Sequence, residues 1–445
     1  MGGHPRECVA SGTLGDEHGR SRRHTGRVDA TRTAGSVPRV TVVIPTYNRR
    51  DLLRETLRNL TRQRMPADEF EVIVADDGSS DGSRAVVEEA SQQLRIKYHF
   101  QPDEGNRVCL ARNAGARLAA APLLVFLDSG VYVGPDFLTE HVAAHAKGER
   151  LVVVGYTWGY DFEKEPPPGL AEAVAESLPE DVVARFHDSP AFFDARHAAF
   201  VKTDFDLSRM VAPWVLLWGL NFSISAEDYW RVDGFDEGIV LWGLDDLELG
   251  FRLFKAGLEF RLSRTAWAVH APHDRAPLAD ALAGTMVNMR RMMSRFPEPM
   301  TELAWNLLNN DDDLLEVDEN YRFLIGCIDQ ARSVDVAAEV ADLLPQLPPG
   351  RLAVFGAGRR LPAELAGAVT LDFDADAVAE LGATYHAIGI RTPLPDHAVD
   401  VVVLTSRLAG LWPRWSTEIL AEAARVGGSV QLTPALIQKT AAISR

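Results

Sequence analysis

Cysteine is scarce in this chain: Cys8, Cys109 and Cys327 are three residues among 445, and they lie far apart. That spacing builds neither a disulfide framework nor a zinc site, and it fits a reducing cytoplasm. Long apolar runs are missing too. Pro122–Leu127 (PLLVFL) and Trp214–Leu220 (WVLLWGL) are far too short to span a bilayer, so no transmembrane segment is expected. Positive charge is in deficit, with 46 Lys and Arg against 63 Asp and Glu and a formal net charge of -17. Binding to nucleic acid or docking on anionic lipid needs clustered cations, which argues against both. The stretch up to about Ser36 is polar and rich in Arg, His and Gly, without the apolar core of a signal peptide. It reads as a disordered arm over residues 1–37. No internal repeat is visible.

What is present is globular. Hydrophobic content of 46% and charged content of 24% suit a chain with a real core, and the length suggests two or three domains. Val40–Pro45 (VTVVIP) reads as a buried strand, and Asp51–Gln63 repeats Leu at helical spacing. Glu71–Ser80 is a second strand ending in two aspartates. A helix around Ser83–Gln92, a strand Arg95–Phe100, a helix Val108–Ala120 and a strand Pro122–Gly130 follow. This alternation predicts an α/β domain with a mostly parallel sheet, whose ligands bind beyond the carboxyl ends of the strands. From Val152 to Val211 the pattern weakens. Gly219–Gly257 is rich in Gly, Trp and Asp and ends in a helix with Leu247, Phe251, Phe254 and Leu258 on one face. A helical region spans roughly Asp280–Leu344, and a second, smaller α/β unit begins at Arg351.

Polar residues collect at the predicted strand ends. Val43–Arg50 (VIPTYNRR) offers free backbone groups and an aromatic platform suited to a nucleobase, although an ordinary capped turn would use the same residues. In Ala75–Ser83 (ADDGSSDGS) two adjacent carboxylates are costly to desolvate unless they bind something. Asp77 could accept from a uracil imide N–H, and Asp76 could meet the ribose hydroxyls. Asp128-Ser129-Gly130 closes the next strand. Asp245 and Asp246 open the amphipathic helix, where the helix dipole favours carboxylates by only ~0.3–1 kcal/mol. Beside them stand Trp242-Gly243 and the turn Gly234–Glu237, and Trp267–Asp274 (WAVHAPHD) carries two histidines.

Together these stretches resemble family 2 glycosyltransferases of the GT-A fold, from Val40 to about His273. The motifs are VTVVIPTYNRR, VIVADDGSSDGS, CLARNAGARLAAAPLLVFLD and GFDEGIVLWGLDDLELGFRL. The resemblance implies an inverting transfer of a sugar from a nucleotide-diphosphate donor, UDP-linked, to an acceptor such as a natural product, peptide or envelope precursor. It places Pro45, Thr46, Tyr47, Asn48, Asp77 and Arg112 in the nucleotide pocket beside Asp76, with Asp128 and Ser129 near the ribose and diphosphate. Asp246 would be the general base, Asp245 a sugar or acceptor contact, and Trp242, next to Gly243, a platform for a sugar face. The family's usual Asp-x-Asp element departs here: Gly130 stands where the principal ligand of Mn²⁺ or Mg²⁺ is expected. Either the ion is held by Asp128, His270 (His273 as second choice) and diphosphate oxygens, or the site is weakened or metal-free. Without an anchor, such an enzyme would act in the cytoplasm.

Arg351–Pro362, Val369–Asp374, Ile390–Leu408 and Glu418–Leu432 resemble the first five strands of a class I S-adenosylmethionine-dependent methyltransferase. A Gly turn after strand one and an acid ending strand two suit an adenosine ribose, but Phe355-Gly-Ala-Gly358 lacks the third glycine. The expected plan is therefore an arm (1–37), a GT-A transferase domain (38–275) and a helical extension or linker (276–348). A truncated, methyltransferase-like, small Rossmann-like domain (349–445) completes it. Two other readings stay open: a noncatalytic nucleotide-sugar or partner-binding module, and a methyltransferase with an accessory glycosyltransferase-like domain. Intact Asp77, Arg112, Trp242 and Asp246 weigh against the first, and the incomplete glycine loop against the second.

Overall fold

Strands such as VTVVIPT and FEVIVAD carry no polar face, and strands of that kind need cover on both sides. The computed structural model, which describes residues 37–161, 164–273, 278–310 and 312–443, provides it. Eight strands form the first sheet: β1 (Val40–Thr46), β2 (Phe70–Asp76), β3 (Ile96–Phe100), β4 (Leu123–Leu127), β5 (Val131–Val133), β6 (Leu151–Trp158), β7 (Asn221–Ser225) and β8 (Glu259–His270). Their order is β3-β2-β1-β4-β7-β6-β8-β5. The first four run parallel; β7 is antiparallel to β4 and β6, and β5 is antiparallel to β8.

Crossover helices α1 (Arg50–Leu60), α2 (Ser83–Ala90) and α3 (Val108–Arg117) link the parallel strands. In α1, Leu53, Leu57 and Leu60 recur at helical spacing and are buried against β1 and β2. On the opposite face Gly115 of α3 lies so close to β1 that a Cβ would stand 2.7 Å from the Val43 side chain. Helix α4 (Phe137–Ala144) packs on β8, as does the short α6 (Pro179–Phe186), which carries α5 (Leu170–Glu176); α8 (Ala226–Arg231) packs on β7, and Phe200 of α7 (His197–Lys202) joins Tyr156 of β6 and Phe222 of β7 in one core. Strand β6 lies at the start of the segment in which the sequence pattern weakens. Its partners bury both faces, so it lacks the alternation that marks a strand. In β8, Arg264 and Thr265 are exposed mid-strand, breaking the pattern in the other direction.

Helix α9 (Asp245–Lys255) precedes β8; then come α10 (Leu278–Arg295), α11 (Pro299–Asn309), α12 (Val317–Ala331) and α13 (Ala337–Leu343). These helices are more than a linker. Met289, Met292, Ala304 and Trp305 belong to the core of the first sheet, whereas Leu303, Leu324 and Cys327 belong to that of the second. Glu302 on α11 is buried and accepts the backbone N–H groups of Ile388, Gly389 and Arg391, tying the helices to the second sheet. That sheet has five parallel strands, β9 (Leu352–Phe355), β10 (Val369–Asp372), β11 (Tyr385–His386), β12 (Val399–Leu404) and β13 (Gly427–Leu432), in the order β11-β10-β9-β12-β13. Helices α14 (Ala375–Leu381), α15 (Trp412–Val426) and α16 (Pro434–Ile443) flank it. Of the expected arm over residues 1–37, all but Val37 lies outside the described residues, as does the boundary between 275 and 276. Among the described residues no helix is long and apolar enough to cross a membrane.

Candidate active site

The carboxyl ends of β1 and β2 open onto two loops that are stitched together. Asn48, in the left-handed region at φ 48, donates its N–H to Ser79 Oγ at 2.8 Å, and its Oδ1 accepts the Ser80 N–H at 2.8 Å. Asp77 donates its N–H to the Thr46 carbonyl, while its carboxylate accepts from Gln101 Nε2 (2.5 Å) and the Arg107 N–H (2.8 Å). Burial pushes the Asp77 carboxyl above its ordinary value, partly offset by those two donors. Gly78 is required here: at φ +96, a Cβ would stand 2.4 Å from the Asp103 nitrogen. Above this floor the half-exposed Tyr47 ring is fixed by a 2.9 Å hydrogen bond from its hydroxyl to Asp103. Pro45 and Thr46 close the buried end of β1.

Asp76 is placed differently from the ribose position expected of it. It is fully buried, and its oxygens accept the Ser79 N–H at 2.7 Å and the Tyr98 hydroxyl at 2.6 Å, which leaves it shaping the turn. Gln101, which sequence reasoning missed, takes the neighbouring place. The parallel register pairs Asp76 with Phe100, so Gln101 follows directly at the edge of the Asp77 pocket. Only the register could have revealed it. Among the described residues, Thr46 Oγ1, Gln101 Oε1 and Arg112 Nε are buried polar atoms without a hydrogen-bond partner. Buried groups of this kind are costly, and those of Thr46 and Gln101 flank Asp77, which bonds to the Thr46 carbonyl and to the Gln101 amide.

Arg112 on α3 joins the two halves of the site. It donates to Asp128 at 2.9 Å, just beyond β4, and to Asp245 at 2.6 Å, at the start of α9. Burial opposes its charge, but the two carboxylates outweigh that and raise its pKa further. The guanidinium also lies 5.0 Å from the Phe235 ring centroid. Asn113, next in the chain, accepts the Phe235 N–H and donates to the Phe235 carbonyl, holding the Gly234–Glu237 turn. Ser129 is buried beside Asp128.

The other half of the site is built on the first turn of α9. Asp246 accepts the Gly219 N–H at 2.8 Å with one oxygen and the Leu247 N–H at 2.8 Å with the other. Burial, then the Asp245 carboxylate, push the Asp246 carboxyl up to about 7, against opposing help from the two N–H groups and Arg112. Asp245 is committed to Arg112, so Asp246 is the acid of the pair suited to exchanging a proton near neutrality. Trp242 stands 52% exposed on the loop before α9, with Gly243 at φ +92 behind it.

A divalent ion would find few protein ligands. Gly130 sits at φ +95, its N–H donates to Thr56 Oγ1 at 2.9 Å, and a Cβ there would face the Leu52 side chain. The turn therefore aims position 130 at α1. His270 is paired across β5 and β8 with Val131, which follows Asp128 by three residues, and its ring packs 4.9 Å from both the Tyr160 and His273 rings. His273 is engaged by Arg49: a guanidinium only donates, so Nε2 accepts at 2.5 Å and Nδ1–H donates to the Ala271 carbonyl at 3.0 Å. Among the described residues no group of three His, Cys, Asp or Glu side chains could hold a metal.

Residues 41–205 match the family described as glycosyl transferase family 2, and residues 201–274 match the N-terminal domain of galactosyltransferase. Validoxylamine A glucosyltransferase of Streptomyces hygroscopicus subsp. jinggangensis (strain 5008) is 42% identical over 410 residues, covering 88% of this chain and 96% of that one. The chain is a family 2 glycosyltransferase. The protein of the same name from subsp. limoneus is 44% identical, over 88% of this transferase and 90% of that one. Chondroitin synthase of Escherichia coli is 30% identical over 265 residues, covering 58% of this chain and 38% of that one. As a family 2 member the transferase moves a sugar from a nucleotide donor to an acceptor.

The second sheet of the transferase also ends in acids, but they are sealed. Arg407, after β12, is fully buried and donates to Asp372 at 2.7 Å and Asp374 at 2.9 Å. Its remaining nitrogen reaches the carbonyls of Ala331 and Val334. Asp372 also accepts the Gly358 N–H at 2.8 Å and, on its other oxygen, the Asp374 N–H at 2.9 Å. The acid expected at an adenosine ribose is thus occupied by the protein itself.

Proposed function

We propose that the chain transfers a glucosyl residue from UDP-glucose to a hydroxyl of validoxylamine A or a compound close to it, with inversion at the anomeric carbon. The sugar and acceptor rest on the relatives at 42% and 44% identity. The uridine rests on Thr46 Oγ1 and Gln101 Oε1, buried atoms without a partner among the described residues that suit an imide and its carbonyls, with Asp77 beside them.

In this reading Asp246 removes the proton of the acceptor hydroxyl. The oxygen attacks the anomeric carbon from the face opposite the diphosphate, the bond from that carbon to the phosphate oxygen breaks, and its electrons leave with UDP. Arg112 holds Asp245 and Asp128 on either side of the transfer line, and Trp242 carries the acceptor. Mg²⁺ or Mn²⁺ would be held by Asp128 and His270 and would neutralise the leaving diphosphate, which must supply most of its ligands. Transfer takes place in the cytoplasm, where the thiols Cys109 and Cys327 stay reduced. The second sheet is read as a small Rossmann-like support without methyl transfer, given Arg407 in its cleft.

The observation that carries the proposal is Asp246: aimed by two backbone N–H groups and lifted to about 7. Asp246→Asn should lower kcat by about 10³-fold or more while UDP still binds, and kcat/KM of the wild type should fall below about pH 7. Transfer by Asp246→Asn at the wild-type rate sinks the base assignment. Assays with EDTA test the ion: undiminished turnover removes it.

A further inference from the structure

The loop before α9 turns sharply just where it matters. Gly243 at φ +92 and Leu244 at φ +70 are both in the left-handed region, directly ahead of Asp245 and Asp246. Leu244 has a Cβ and is buried, so this conformation is strained and persists only where the surroundings enforce it. The enforcing element is α10, which lies beyond the matched family segments ending at residue 274. Asn288 on α10, only 3% exposed, points its side-chain amide into the loop. Nδ2 donates to the Gly243 carbonyl at 2.7 Å and the Leu241 carbonyl at 3.1 Å, with the Trp242 carbonyl at 3.5 Å.

One turn earlier, Thr285 closes over Gly243, where a Cβ would come within 2.2 Å of Oγ1. At the other end of the loop Arg291 grips Asp236 at 2.7 and 3.0 Å, and Arg295 adds a contact at 2.5 Å. Helix α10 therefore clamps the loop at both ends.

We infer that Asn288 is a positioning residue for glycosyl transfer: it fixes the left-handed turn at Gly243–Leu244 and thereby sets both the Trp242 platform and the aim of Asp246. The inference rests on the roles given above to Trp242 and Asp246. Without the amide, the carbonyls of residues 241 and 243 lose their donor in a part-buried place, and the turn relaxes toward negative φ. Asp246, two residues beyond Leu244, then leaves its line.

The test compares wild type, Asn288→Ala and Asn288→Ser in transfer from UDP-glucose to validoxylamine A, at a temperature where circular dichroism finds each folded. Asn288→Ala should lower kcat/KM for the acceptor about 30-fold, with partial recovery in Asn288→Ser, which keeps a donor. The calorimetric Kd for UDP should stay within about two-fold of wild type. If Asn288→Ala does not fold, Asn288→Ser carries the same comparison with a smaller loss. A merely structural asparagine would lower Tm and leave the kinetics of the folded variant unchanged; that result overturns the inference, as does a parallel loss of UDP affinity. Undiminished transfer by Asp246→Asn would overturn the base assignment alone, because the Asn288 comparison is read against UDP binding in the same variants.

Discussion

Arg112 and Arg407 occupy the same kind of place. Each is buried beyond the carboxyl ends of parallel strands, and each bridges two aspartates, Asp128 with Asp245 and Asp372 with Asp374. They differ in what is left over. Around Arg407 the carboxylates are 0% and 5% exposed, and every guanidinium nitrogen has a partner. Around Arg112 they are 36% and 14% exposed, and Nε has none among the described residues. A charged group at a strand end marks a binding site only while some of its bonding capacity remains open. The first triad keeps that capacity at a cost in stability; the second has consumed it internally.

Removing the closed arginine should produce the largest effect. Arg407→Met strands two buried carboxylates and frees the Gly358 loop, which should cost about 3–5 kcal/mol in denaturant unfolding. The folded fraction should transfer sugar at the wild-type kcat, and neither protein should bind S-adenosylmethionine in a calorimeter. Saturable binding by the wild type would break the comparison, because the second cleft would then be open after all.

Arg112→Met should do the reverse. Its carboxylates reach water, so unfolding should shift by only about 1–2 kcal/mol. The loss falls on chemistry: about 100-fold in kcat/KM, since Asp245 and Asp128 are released from either side of the transfer line. A variant that loses stability as Arg407→Met does, yet keeps its turnover, would make the two triads alike.

The open triad was legible in the sequence, and the closed one was not. Arg112, Asp128, Asp245 and Asp246 stand in stretches whose local order carries the family resemblance, and the strands that display them are contiguous apolar runs. Arg407 follows β12 with no local mark; its role appears only once α12 and the end of β10 are packed around it. Asn288 and Gln101 were invisible for the same reason, since one acts through a helix-to-loop contact and the other through strand register. Asp76 and Asp77 look alike in sequence, whereas in the structure Asp76 ends β2 bonded to Tyr98 and Asp77, in the loop that follows, bonds to Gln101.

The smallest predicted effect probes the open triad through its neighbour Asp246. Burial and the Asp245 carboxylate raise this carboxyl from 3.8 to about 7. Between those values the folded chain holds a proton that the unfolded chain has released, so stability declines as pH rises. The contribution is complete below the unfolded value and is lost as pH passes through about 7. Asn at this position cannot titrate. From about pH 4 to about pH 8 the wild type should therefore lose about 1–2 kcal/mol relative to Asp246→Asn, less than the full shift because the cleft admits solvent. Tm measured for both proteins across this range provides the check. Curves that run parallel would mean an ordinary carboxyl at Asp246, and the acidic limb of kcat/KM would then have to be sought in another group.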